Sequence, residues 1–211
     1  MKIGPYQEHA LRYDCWFDEN RLAYEAELRA VRHLLPATGC GLGVEVGAGT
    51  GRFAGPLGIQ VGVEPCAAMA ALARQRGISI ISGAAEALPF RNAAADLVLM
   101  VTVLCFVHEA RQAVQEAARV LRPGGLMLIA MLDRSSPLGQ VYAARKKESL
   151  FYRQATFHPA DAVLDLLREA GLTEFRCCQT IFQDAAAVTA QELIQEGHGQ
   201  GLFVVIRGRK P

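Results

Sequence analysis

The chain is short of almost everything that marks a membrane, secreted or nucleic-acid-binding protein. Its charges cancel: 22 Lys and Arg stand against 21 Asp and Glu over 211 residues, a formal net charge of +1. Without a basic surplus there is no electrostatic footprint for a nucleic acid, and none is expected as a partner. Long hydrophobic runs are missing too. The longest, Leu97 to Val107, is too short to span a bilayer and reads as a buried strand with its exit loop. The opening MKIGPYQEHALRYDCWF lacks the apolar centre of a signal peptide. The expectation is a cytoplasmic protein with no membrane partner.

No C-x-x-C occurs. The six cysteines, Cys15, Cys40, Cys66, Cys105, Cys177 and Cys178, form no regular framework. Adjacent Cys177 and Cys178 point to opposite faces if they lie on a strand, so no metal is expected and the thiols read as small, reduced apolar fillers. Repeats, low-complexity tracts and linkers are absent as well. A chain of 211 residues can bury one sizeable core, and residues 1–211 read as one domain.

What is present is a glycine-rich turn. In Gly43-Val44-Glu45-Val46-Gly47-Ala48-Gly49-Thr50-Gly51-Arg52-Phe53 an apolar run passes through an acid into three alternating glycines. This predicts a buried parallel strand ending in a turn where the backbone comes close to a ligand, at the carboxyl edge of the first strand of a doubly wound fold. A dinucleotide turn reads G-x-G-x-x-G; here the third glycine comes one residue early and Arg52 takes its place. The pattern acid-x-Gly-x-Gly-x-Gly resembles motif I of the class I S-adenosylmethionine (SAM) dependent methyltransferases.

Further motifs follow in order. Ile59 to Glu64 reads as a second strand, and an acid at its end can accept hydrogen bonds from both hydroxyls of a ribose. A helix from Cys66 to Arg76 and a strand from Ile78 to Ile81 lead to Gly83-Ala84-Ala85-Glu86-Ala87-Leu88-Pro89-Phe90. That segment resembles the G-x-A-E-x-L-P-F loop of SAM enzymes that methylate small molecules, the group of the ubiquinone and menaquinone methyltransferases. Asp96 to Val101 is a continuous apolar strand headed by an acid, the pattern of a central strand buried on both faces. A helix from Ala110 ends at Arg119-Val120-Leu121-Arg122-Pro123-Gly124-Gly125, a second family match, whose glycines turn the chain into the strand Leu126 to Leu132. A late helix carrying Val163, Leu166, Leu167 and Ala170 and stopped by Gly171 also resembles the group.

The ends carry less pattern. Residues 1–17 hold Tyr6, Tyr13, Trp16 and Phe17 with no strict period and suit either a cap or a lid. Tyr24, Leu28, Val31 and Leu35 recur at helical spacing over residues 18–35, with Pro36 and Gly39-Cys40-Gly41 as the stop. Arg145-Lys146-Lys147-Glu148 reads as a solvated helix face, and Phe151, Tyr152 and Phe157 add aromatic surface near the cleft. Strands near Glu174–Phe182 and Leu202–Arg207 would make a closing hairpin, with residues 185–201 an insertion of unread role.

The resemblance, over residues 40–172, implies a doubly wound, seven-stranded, mostly parallel α/β sheet (Rossmann-like) with an antiparallel C-terminal hairpin. It implies an enzyme that passes a methyl group from SAM to a small-molecule acceptor, leaving S-adenosylhomocysteine. By it Glu45, Gly47, Ala48, Gly49 and Gly51 cradle the cofactor, Glu64 with Pro65 holds the ribose, Ala85 and Glu86 flank the adenine, and carbonyls of Val101 and Thr102 meet the methionyl amino group. For a base, His108 comes first, then Tyr142 and Asp133, and Tyr13 or Trp16 can face the cation. Two alternatives stay open: a SAM-binding sensor without transfer, and an NAD-binding oxidoreductase.

Overall fold

The structure, a computed structural model, describes residues 4–36 and 41–211. Four strands make the buried centre of one sheet: β1 (Gly43–Val46), β4 (Ala95–Val101), β5 (Leu121–Leu132) and β8 (Phe203–Arg209). With β2 (Val61–Val63), β3 (Ser79–Ile81), β6 (Thr173–Thr180) and β7 (Gln195–Glu196), the order is β3-β2-β1-β4-β5-β8-β6-β7. The first five strands in that order run parallel, and β8, β6 and β7 pair antiparallel. The order reverses between β1 and β4, which opens a crevice at their carboxyl ends.

The apolar runs have a plain reason. Leu97 and Leu99 enter one core while Val98 and Met100 enter the other, because side chains alternate along a strand and both faces are covered. One face is covered by α2 (Ala10–Glu19), α3 (Arg21–Leu34) and α5 (Ala67–Gln75), the other by α6 (Ala110–Val120) and α8 (Ala160–Glu169). Two short helices, α1 (Gly4–Glu8) and α4 (Ala54–Leu57), flank the first layer, and α7 (Pro137–Arg145) follows β5.

Several expectations change. The described sheet has eight strands and not seven, because residues 185–201 contribute the two-residue β7, antiparallel to β6. Residues 18–35 are not one helix: Asn20, whose backbone and side-chain N–H groups both donate to the Trp16 carbonyl, separates α2 from α3. The aromatic stretch before it is itself helical. The buried face of α3 is Ala23, Ala26, Ala30, Val31 and Leu34; of the expected Tyr24-Leu28-Val31-Leu35 stripe only Val31 is fully buried, because small alanines let this face approach β6 and β8. β5 begins at Leu121, so Arg122-Pro123-Gly124-Gly125 falls inside its range, yet its pairing with β4 skips from Leu121 to Leu126 and Gly124 sits at φ 78°, so the glycines still bend the chain there. Of the expected stop after α3, residues 37–40 lie outside the described residues.

Candidate active site

At the end of β1 the chain enters a turn with Gly47, Gly49 and Gly51 all at positive φ, at 69°, 54° and 80°. Only glycine takes that conformation without strain. A Cβ on Gly47 would run into the Val103 side chain after β4, whereas one on Gly51 would press on Ala73 and Ile78 at 3.3 and 3.2 Å. Gly47 therefore lets two loops meet at the cleft, and Gly51 seats the turn against α5.

The N–H groups of this turn are already in use. Gly47 and Ala48 both donate to the Val63 carbonyl, at 2.7 and 3.1 Å, and Gly49 donates to Glu64 Oε2 at 2.9 Å. Ala54, opening α4, donates to Glu45 Oε2 at 2.8 Å. A pyrophosphate site needs such donors free and aimed at the ligand. Here two buried carboxylates occupy that position, 2% and 5% exposed, and the turn suits a cation. Burial, opposed by the Ala54 N–H and reinforced by the charge of Glu64, pushes the Glu45 carboxyl up to about 8. Burial raises Glu64 as well, against the pull of the Cys66 and Gly49 N–H groups.

The crevice holds three adjoining cavities. One, of about 420 Å³, is walled by Gly47, Gly49, Glu64, Met69, Val101 and Phe106. A second, of about 270 Å³, reaches Glu45, Ala48 and Arg52. The third, a chamber of about 750 Å³, lies between α2, α3, α7 and the 181–202 segment. Tyr13 and Thr102 line all three. Thr102 sits at φ 51°, a costly conformation for a β-branched residue, held where β4 leaves the sheet.

The residues at the crevice fit an adenosyl sulfonium. Each Glu64 oxygen accepts one backbone N–H, from Gly49 or from Cys66, and keeps lone pairs for ribose hydroxyls. Beyond β3, Glu86 Oε1 accepts from the His108 N–H at 2.8 Å, while its buried Oε2 has no hydrogen-bond partner among the described residues. An acceptor buried without a donor is costly, and an amine such as adenine's could meet it.

Residues 44–129 match the family described as a methyltransferase domain. A solved SAM-dependent methyltransferase from Thermotoga maritima, described as a possible histamine N-methyltransferase, is 44% identical; the match covers 99% of this chain and 100% of that one, with a TM-score of 0.94. An uncharacterized protein of Methanocaldococcus jannaschii is 40% identical over 208 residues, 99% of this chain and 100% of its own. The chain belongs to the SAM-dependent methyltransferases. That membership sets aside the NAD reading and the transfer-free sensor, and the first correction has its physical reason in the occupied N–H groups of the turn.

Within the methyltransferase, the sequence-derived positions separate. Gly47, Gly49, Glu64, Val101 and Thr102 gather at the first cavity, with Glu45 and Ala48 beside it. Ala85 is buried and Glu86 half-buried in the loop after β3, and half-buried Pro65 directly follows Glu64. The base candidates do not converge. His108 is exposed and lines none of the three cavities; its backbone N–H, not its imidazole, makes the recorded bond. Asp133 is fully buried as a brace: Oδ1 accepts from Ser135 N, Ser135 Oγ and Ala160 N at 2.9, 2.6 and 3.0 Å, and Oδ2 from Gly199 N at 3.1 Å. Those bonds tie β5, α8 and the 185–201 segment together, and that carboxylate is no base for an acceptor. Tyr142 does line the large chamber.

Three features escaped sequence reasoning. Met69, on α5, walls the cofactor cleft, and a lone Met on a helix gives no signal for that. Arg52 binds α2: its Nε and one Nη donate to Asp14 at 3.0 and 2.8 Å and the other Nη to Asp18 at 2.8 Å, while Arg76 donates to Asp14 at 2.7 Å. Gln7 adds a contact, accepting from Cys66 Sγ and Ala68 N. Finally Glu27, on α3, lines the large chamber. Its signal was available: it falls four residues after Ala23 and four before Val31, a charge on an apolar stripe.

Proposed function

We propose that this methyltransferase passes the methyl group of SAM to a small organic molecule held in the 750 Å³ chamber. One observation carries the reading: Tyr13 and Thr102 wall both the cofactor cleft and the chamber, so a molecule in the chamber lies next to the cradle. A concave lining that is mostly apolar and aromatic, with few polar groups, suits a small molecule. The Thermotoga relative, described as a possible histamine N-methyltransferase, is in keeping with an acceptor of that size.

SAM supplies a sulfonium methyl that is already an activated donor. The chain's part is position and exclusion of water. In this reading Glu64 holds the ribose with Pro65 turning the chain beside it, Ala85 and Glu86 flank the adenine, and the main chain at Val101 and Thr102 takes the methionyl amino group. Gly47, Ala48 and Gly49 permit the close approach while Glu45, accepting from Ala54 N, ties the turn to the start of α4. Tyr13 bridges the two compartments, and Tyr142 touches the acceptor. The helices α1 and α2 close the crevice as a lid, pinned through Arg52. The test is to supply SAM with a labelled methyl and a panel of small amines, phenols and thiols. Label is expected in one of these classes; label confined to protein or nucleic acid in an extract overturns the reading.

A further inference from the structure

The chamber has an uneven chemistry. Its walls are aromatic on three sides, with Trp16 and Phe17 from α2, Phe53 after the glycine turn, and Tyr142, Phe151 and Tyr152 from α7 and the segment beyond it. Among the described residues that line it there is no Lys, Arg or His; the one acidic side chain is Glu27. A carboxylate facing apolar walls is expensive unless a cation or donors meet it. Desolvation alone governs its acidity and pushes it up to about 8, with no hydrogen bond or cation among the described residues to offset it.

The titratable groups that share the chamber are Tyr13 from α2, Tyr142 from α7 and Tyr152 beyond it. Burial raises all three, and the charge of Glu27 adds to each rise, so their phenols stay neutral. They lie within electrostatic reach of Glu27 and offer it no positive charge. An acid with no cation, enclosed by electron-rich ring faces, is the complement of an ammonium group on a flat apolar body. Phosphate, carboxylate or thiolate acceptors would find no cation there to pair with.

We propose that the chamber selects an arylalkylamine as methyl acceptor, Glu27 binding its ammonium group while the rings of Trp16, Phe17 and Tyr152 hold its aromatic body. This rests on the small-molecule reading above and names the class. Glu27 is a specificity residue in it. Asp14 and Asp18 on α2 are engaged by Arg52, and Glu27 is the one acid that lines the chamber itself among the described residues.

The test uses the full chain saturated with S-adenosylhomocysteine and two matched probes, tryptamine and tryptophol, which differ in carrying an ammonium or a hydroxyl. Calorimetry is expected to show tryptamine binding roughly 30-fold or more tighter than tryptophol. Glu27→Gln is expected to remove that preference while the heat of S-adenosylhomocysteine binding, which also reports that the variant is folded, stays unchanged. Equal binding of the two probes overturns the inference and leaves the small-molecule reading standing. So does a Glu27→Gln variant that keeps the wild-type preference. A protein that binds S-adenosylhomocysteine but neither probe also overturns it, and the labelled panel then decides the broader reading separately.

Discussion

A carboxylate whose two oxygens each hold one backbone N–H, as those of Glu64 do, is both a brace for its own turn and a site with lone pairs to spare. Replacing it removes both functions, and two variants separate them. Glu64→Gln keeps one acceptor oxygen and is expected to weaken S-adenosylhomocysteine by about 10–100-fold, the loss of one or two charge-assisted hydrogen bonds. Glu64→Ala is expected to weaken it further and to lower the melting temperature, because the Gly49 and Cys66 N–H groups lose their acceptor. Unchanged affinity in both, measured by calorimetry, would remove Glu64 from the ribose site. Glu27 makes a different prediction, through pH. Its carboxyl, pushed up to about 8 on folding, keeps a proton that the unfolded chain, with a pKa of about 4.3, has released. Between those values the native state binds more protons than the unfolded one, so stability falls as pH rises through the window. Glu27→Gln is therefore expected to match wild type at pH 4 and to be the more stable at pH 8. The gain is on the order of 2 kcal/mol, reduced from the full shift because water reaches a chamber wall. Thermal melts across pH 4–8 check this, and parallel curves would mean that Glu27 is already compensated.

At the scale of elements, α2 is tied to the glycine turn by Arg52, with Arg76 sharing Asp14. The sequence shows Arg52 only as the residue that breaks a dinucleotide spacing; its partners Asp18 and Asp14 stand 34 and 38 positions away, and nothing local announces them. The same holds for Asp133, whose acidic side chain at the ligand edge reads as a base until its four donors are known. Motif residues were legible because close backbone approach forces glycine and an apolar strand forces its neighbours, both local constraints. The place of α1 and α2 and the chamber were not, since both depend on which distant segments pack together. Burial raises the Asp14 carboxyl, but Arg52, Thr50 and Arg76 outweigh it and hold it at about 2. A depressed acid stabilises above its unfolded pKa of about 3.9 and loses that contribution as pH falls toward 2, so the clamp is intact at neutral pH. Asp14→Asn is expected to speed amide exchange across residues 4–19, cost about 1–2 kcal/mol and weaken S-adenosylhomocysteine several-fold. Exchange confined to wild-type rates there would show that aromatic packing alone holds the lid.

For the whole molecule, the two cores on opposite faces of the sheet and the cleft at the switch point are one construction. β4 carries side chains into both cores, β1 sends Val44 and Val46 into one of them, and their carboxyl ends place Gly47 and Thr102 in the wall of the crevice. This much was legible, because the apolar runs and glycine turns that write it lie in order along the chain. The eighth strand was not, since a two-residue pairing such as Gln195–Glu196 leaves no period to read. A cofactor that binds the native crevice and not the unfolded chain stabilises the whole by mass action. At a free concentration of S-adenosylhomocysteine 100 times its Kd, the gain is about 2.7 kcal/mol. In a chain of this length that raises the melting temperature by roughly 5–10 °C. NADH at the same concentration is expected to do nothing, because its pyrophosphate would meet Glu45 and Glu64 where it needs free N–H donors. A rise with NADH and none with S-adenosylhomocysteine would mean that the turn binds through its backbone after all, against the hydrogen bonds at Val63 and Glu64.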